Sequence, residues 1–269
     1  MSSSYEEANK LLTKASRLNV NGFPEKSIKL YLEAASITPR NPKIYSGLGN
    51  SFSKLEKWDE AISSYKRALK IDPTYSDAAY DLAQLLRNLE RHQEAFEYFK
   101  IVTSLYPSHT DAFIGLAQSS STLGKISTAI KAYEKVLLLN PANFEIRQEI
   151  ASLAIRNKNF EKAEIYLKTA LAISPNDPRV LTNLAIIYKE QGNLAKSAQT
   201  LKKAIKINPD LAHLHYTLAV IYREMNKPTL ALKQLNIAYK IDPSLKEEFG
   251  QVFDQISNNK LEENSTRAD

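Results

Sequence analysis

Four histidines, His92, His109, His213 and His215, are the side chains whose ordinary pKa lies near neutrality, so acid–base or metal chemistry would start from them. His213 and His215 stand two residues apart, which on a helix turns them about 200° around the axis and prevents them from ligating one ion together. His92 falls in register with Trp58 and Phe160 and is expected to pack rather than react. The paired acids Glu6-Glu7 and Glu247-Glu248 lie at the beginnings of expected helices, where the macrodipole favours negative charge, so they read as caps rather than as an acid–base couple. There is no cysteine, which excludes a disulfide framework and a thiolate metal site. The glycine-rich phosphate loops, the zinc motif H-E-x-x-H and the nucleophile elbow G-x-S-x-G have no counterpart in the sequence. No catalytic residue, metal ligand or cofactor is therefore expected.

Charge is the next chemical feature. The net charge is +6, but it is uneven. Residues 8–41 and 178–211 carry an excess of Lys and Arg, whereas residues 76–109 and the segment from Lys246 carry an excess of acid. A nucleic-acid surface would need cations aligned along a backbone path, with aromatic rings for stacking or a helix for a groove, and this pattern does not supply it. No window approaches 18 uninterrupted apolar residues, and the start MSSSYEEANK lacks the basic-then-apolar pattern of a secretory signal, so a cytoplasmic location is the expectation.

What must position any functional side chain is a repeat. Seven prolines, Pro39, Pro73, Pro107, Pro141, Pro175, Pro209 and Pro243, recur every 34 residues without insertion or deletion. Five residues before them stand Ala34, Ala68, Val102, Val136, Ala170, Ala204 and Ala238; eight before, large groups from Tyr31 to Leu235; twelve before, small ones from Ser27 to Ala231. With an aliphatic residue two before each proline (Ile37 to Ile241), these spacings make one stripe of an α-helix whose small positions admit another backbone. A preceding helix carries its own small position at Ala15, Gly49, Ala83, Ala117, Ala151, Ala185 and Ala219. Short polar turns such as Glu56-Lys57 and Gly192-Asn193 join the two, and Asn41-Pro42 and Asp177-Pro178 mark helix starts by a cap followed by proline. A fixed period of this size means stacked helix–turn–helix units, none able to bury its apolar face alone.

The segment YSGLGNSFSKLEKWDEAISSYKRALKIDPTY, from Tyr45 to Tyr75, resembles the tetratricopeptide repeat (TPR). The resemblance covers seven repeats, at about 8–41, 42–75, 76–109, 110–143, 144–177, 178–211 and 212–245, and implies an all-α fold, an α-solenoid wound as a right-handed superhelix. Lys14 in the first repeat, and Arg147 and Ala154 in the fifth, depart from the family pattern and imply a terminal repeat and a looser joint. Ser4-Tyr5-Glu6-Glu7 and Ser244-Leu245-Lys246-Glu247 read as capping boxes, the second opening a C-terminal capping helix over 246–257, followed by a disordered tail at 258–269.

The resemblance also implies where function resides. TPR proteins line a concave groove with the first helix of each repeat, and on this chain the partner-binding positions that follow are Asn50, Tyr80 and Arg87, then Arg179, Ile186, Lys189, His213, Tyr216, Val220 and Arg223. The last seven combine cations, a tyrosine and aliphatic surface, a mixture suited to an acidic or C-terminal peptide. The carboxylate clamp of TPR co-chaperones is not reproduced: at its positions stand Ser46, Asn50, Asp81, Asp111 and Gly115, and two acids would repel a carboxylate. Repeats five to seven likewise offer Asn183 as the one match. The expectation is a non-catalytic protein-interaction module or scaffold active in complex assembly. The alternatives are a self-assembling structural scaffold and a regulatory module beside an enzyme or nucleic acid.

Overall fold

A computed structural model describes residues 2–246. Among them are fourteen α-helices and no strand, arranged as seven pairs. In unit one of the chain these are α1 (Ser2–Val20) with α2 (Pro24–Ile37), α3 (Pro42–Lys54) with α4 (Trp58–Ile71), α5 (Ser76–Asn88) with α6 (His92–Leu105), and α7 (Thr110–Thr122) with α8 (Ile126–Leu139). Unit two holds α9 (Phe144–Arg156) with α10 (Phe160–Ile173), α11 (Pro178–Glu190) with α12 (Leu194–Ile207), and α13 (Ala212–Glu224) with α14 (Pro228–Ile241). The units span Met1–Pro141 and Ala142–Asp269. The chain is an all-α solenoid of helix–turn–helix repeats.

Each pair closes at its small residues. Ala15, Gly49, Ala83, Ala117, Ala151, Ala185 and Ala219 are all buried on the first helices, and Ala34 to Ala238 on the second. Where serine replaces alanine on a second helix, its hydroxyl reaches the backbone of the partner helix: Ser27 Oγ donates to the Ala15 carbonyl at 2.8 Å and Ser197 Oγ to Ala185 at 2.7 Å. Such contacts require backbones close enough to exclude any larger side chain. Phe99, Leu82 and Leu86 anchor the core of unit one, and Leu201, Leu214, Leu218 and Leu235 that of unit two.

The turn inside every repeat has one conformation. Gly22, Glu56, Glu90, Gly124, Lys158, Gly192 and Asn226, one per repeat, all have positive φ, between 55° and 84°. The surrounding hydrogen bonds are those of a Schellman cap; at the second turn, for example, Lys57 N–H donates to Phe52 and Glu56 N–H to Ser53. Helix starts use side-chain caps where the sequence provides them: Asn41 accepts from the Lys43 amide, and Asp177 from both Arg179 and Val180.

Two expectations differ from the structure. The apolar stripe does not run to the end of five second helices: Leu105, Leu139, Ile173, Ile207 and Ile241, each the last helical residue, are between 37% and 45% exposed, whereas Ile37 and Ile71 at the same position are half-buried. Ser4 is not an N-cap, since α1 already begins at Ser2; the helix carries on past the repeat toward the N-terminus. Residues 244–246 are helical, and the remainder of the expected capping helix and the tail at 258–269 lie outside the described residues.

Candidate partner-binding groove

The first helices of unit one adjoin in sequence order, α1 beside α3, α3 beside α5, and α5 beside α7, so their outward residues share one face. On this face lies a cleft of about 340 Å³. Its floor and walls include Ser46, Gly47 and Asn50 from α3, Tyr80 and Asp81 from α5, and the ring of Tyr31 from α2. Tyr31 belongs to a second helix and arrives here because Gly47 has no Cβ; a methyl group at that position would overlap the tyrosine ring. Leu12 and Ser16 of α1, with Lys43, Tyr75, Asp77 and His109, line the rest of it.

A hydrogen-bonded chain fixes the floor. The Tyr65 hydroxyl donates to Asn50 Oδ1 at 2.5 Å, and the Asn50 amide bonds the Asp81 carboxylate. Tyr75 is hydrogen-bonded to Asp77 and Ser46. Tyr80 accepts from Gln84 Nε2 at 2.9 Å, meets Phe99 edge-on at 6.1 Å, and lies tilted over the His109 ring at 4.7 Å. His109 is held in place as the N-cap of α7, its Nδ1 accepting from the Ala112 amide.

The electrostatics follow from burial. Desolvation raises the Asp81 pKa, with Asp77 adding to the shift and the Asn50 bond opposing it. Desolvation, then the Asp77 charge, pushes the Tyr75 hydroxyl up to about 12. Tyr65 and Tyr80 are raised too, first by burial and then by Asp81 and Asp111 respectively. The tyrosines thus remain neutral donors, and the cleft presents two carboxylates with Lys43 as the cation on its rim.

Of the residues expected from the sequence, Asn50 and Tyr80 are brought together in this cleft. Arg87 turns instead to Gln118 Oε1, with its guanidinium 6.0 Å from the Phe99 ring. In unit two, Arg179, Ile186 and Lys189 stand on α11, and His213, Tyr216, Val220 and Arg223 on α13. Their cations are largely occupied: Arg179 pairs with Asp177 at 3.1 Å, and Lys189 with Glu224 at 3.1 Å and Glu190 at 3.5 Å. Those partners raise the pKa of both cations, by hydrogen bond first. His213 is exposed, whereas Ile186, Tyr216, Val220 and Arg223 are half-buried. His215 is buried on the other side of α13, its ring nitrogens 2.7 Å from Gln234 Oε1 and 2.9 Å from the Pro209 carbonyl. His92 opens α6 as a half-buried packing residue.

Sequence reasoning missed Tyr31, Tyr75 and Asp81 as parts of one site. Gly47 was the available signal for Tyr31, since glycine inside a helix costs about 0.5–1 kcal/mol relative to alanine and is kept where something must come close.

Tetratricopeptide repeat models match residues 42–75, 64–97 and 121–187, and a TPR repeat model matches 186–226, together more than half of the chain. No curated protein matches. Among solved structures, the C-terminal part of a TPR repeat-containing protein from Cytophaga hutchinsonii is similar with a TM-score of 0.70 at 16% identity, over 88% of this chain and 97% of that one. YrrB, described as a TPR protein with an unusual peptide-binding site, is similar with a TM-score of 0.60 at 20% identity over 72% and 97%. A tetratricopeptide repeat protein from Parabacteroides merdae gives 0.55 at 20% over 91% and 97%. With the 34-residue helix pairs, their small-residue contacts and their shared turn, these matches show that the chain belongs to the tetratricopeptide repeat family.

Proposed function

We propose that this protein is a non-catalytic interaction module that holds a segment of a partner protein against the first helices of its repeats, in the service of complex assembly. The observation that carries this reading is the cleft of unit one, whose ordered polar and aromatic walls are built by three successive repeats around Asn50, Tyr80 and Asp81. Asn50 and Tyr80 are held by hydrogen bonds from Tyr65 and Gln84 behind them, so little ordering entropy is lost at these side chains when a segment docks. The likeness to YrrB, whose description names a peptide-binding site, supports a peptide as the bound form. The face of α11 and α13, with Arg223 and His213, is the second contact surface and the one suited to acid-bearing segments.

Selection of a displayed random 12-residue peptide library on the full chain tests this function. Enriched peptides are expected to bind one to one with micromolar affinity and to shift the backbone amide resonances of Lys43, Asn50 and Tyr80 in unit one or His213 and Arg223 in unit two. Failure to enrich any peptide, or shifts confined to second helices, would remove the reading. Arg179→Ala with Arg223→Ala is expected to weaken capture of partners from the native cell while helicity and melting stay intact.

A further inference from the structure

The cleft of unit one has carboxylates without counter-ions. Among the described residues, neither Asp77 nor Asp81 has an ion-pair partner, whereas acids elsewhere on the chain, Glu94, Glu164, Asp177 and Glu224 among them, are ion-paired. Asp81 is half-buried, and its single side-chain donor is the neutral Asn50 amide. A carboxylate withdrawn from water without a cation is costly, and proteins usually offset that cost with a paired charge. Asp77 and Asp81 are one helical turn apart on α5, so they are neighbours on one face of the helix, the exposed Asp77 and the half-buried Asp81 both lining the cleft.

The aromatic lining agrees on the missing group. The rings of Tyr31, Tyr75 and Tyr80 border the same space, and aromatic faces attract ammonium and guanidinium groups. The groups opposing a cation are Lys43 on the rim, Arg87, already engaged by Gln118, and His109, fixed as a cap. Asp111 nearby adds a third acid.

We propose that this cleft recognises a lysine or arginine side chain of an extended partner segment, with the cationic head between the carboxylates of Asp77 and Asp81 and its stem against Tyr75 and Tyr80. The proposal rests on the interaction-module reading and gives it a sign in unit one: the partner is basic there, opposite to the acidic segment suited to α11 and α13. It also accounts for Asp81 and Asp111 standing where a carboxylate-binding site would carry amide and cationic groups.

The test uses the peptides enriched by the full chain. Those whose binding shifts the Asn50 and Tyr80 resonances are expected to share one fixed Lys or Arg. Replacing that residue by Gln in a fluorescein-labelled synthetic peptide should weaken binding about tenfold or more in anisotropy titrations, as expected for a charge-assisted contact. Asp77→Asn with Asp81→Asn should cause a similar loss, and combining the protein and peptide changes should cost little beyond either alone. Circular dichroism checks that the isosteric variant is folded, and the peptide-side change tests the same contact without altering the protein. Peptides that bind this cleft with an acidic or uncharged consensus, or unchanged affinity after the Asp→Asn pair, would overturn the charge assignment while leaving the interaction module standing. Absence of any peptide binding would remove both.

Discussion

The Asp81 carboxylate has a cost that should be visible in melting curves. Its pKa is raised, so the folded chain holds that proton to a higher pH than the unfolded chain does. Protonated Asp81 therefore favours the folded state below the ordinary carboxylate range, and this contribution is lost as pH rises through the raised value. Asp81→Asn is expected to raise the melting midpoint at pH 7, with the gain shrinking toward pH 3; a gain that is equal at both would contradict the assignment. If the same substitution weakens binding of a basic peptide, stability and function oppose each other at this position, as is common for binding sites. In the sequence Asp81 was legible only as a misfit to a carboxylate clamp, because its burial and the absence of a nearby cation depend on residues from α3 and α2. Tyr31 was hidden for a similar reason: groove positions were counted on first helices, and only the ring's passage over Gly47 brings it to that face.

At the scale of elements, the seven intra-repeat turns share one left-handed position filled three times by glycine, once by asparagine and three times by Glu56, Glu90 and Lys158. A side chain with a Cβ pays about 1–2 kcal/mol in that conformation, whereas glycine's extra freedom in the unfolded chain costs about 0.5–1 kcal/mol. Glu56→Gly, Glu90→Gly and Lys158→Gly are each expected to stabilise the protein by about 0.5–1 kcal/mol, measured by urea denaturation. Gly124→Ala should do the opposite by a similar amount, since nothing near it gains from a methyl group. The polar turns were legible in the sequence as boundaries. Their common conformation was less so, because glutamate and lysine do not announce a positive φ; the Schellman hydrogen bonds around them impose it. The apolar stripe was legible in its small and large positions, and was overextended at the last residue of five second helices, where periodicity continues but cover ends.

Across the whole molecule, a solenoid is stabilised by interfaces between neighbours, so its terminal repeats are the weak points. On the last repeat Leu230 is 42% exposed. Ending the chain at Pro243 is expected to lower the melting midpoint and increase light scattering on heating; a truncated chain that melts like the full one would show that the segment beyond Pro243 does not cover this repeat. The sequence by itself determined the repeat length, the pairing of helices, the small residues at which they meet and the family. These are set by local chemistry, by a period of 3.6 residues and by the size of one side chain at a time. Only the tertiary structure decided which side chains share a site. It joined Tyr31, Asn50, Tyr80 and Asp81 from three repeats in one cleft, paired Lys189 with Glu224 on the next first helix, and left Asp77 and Asp81 without a cation. Charge pairing and burial are properties of neighbours in space, and on a repeating chain the spacing of prolines says nothing about which neighbours carry charge.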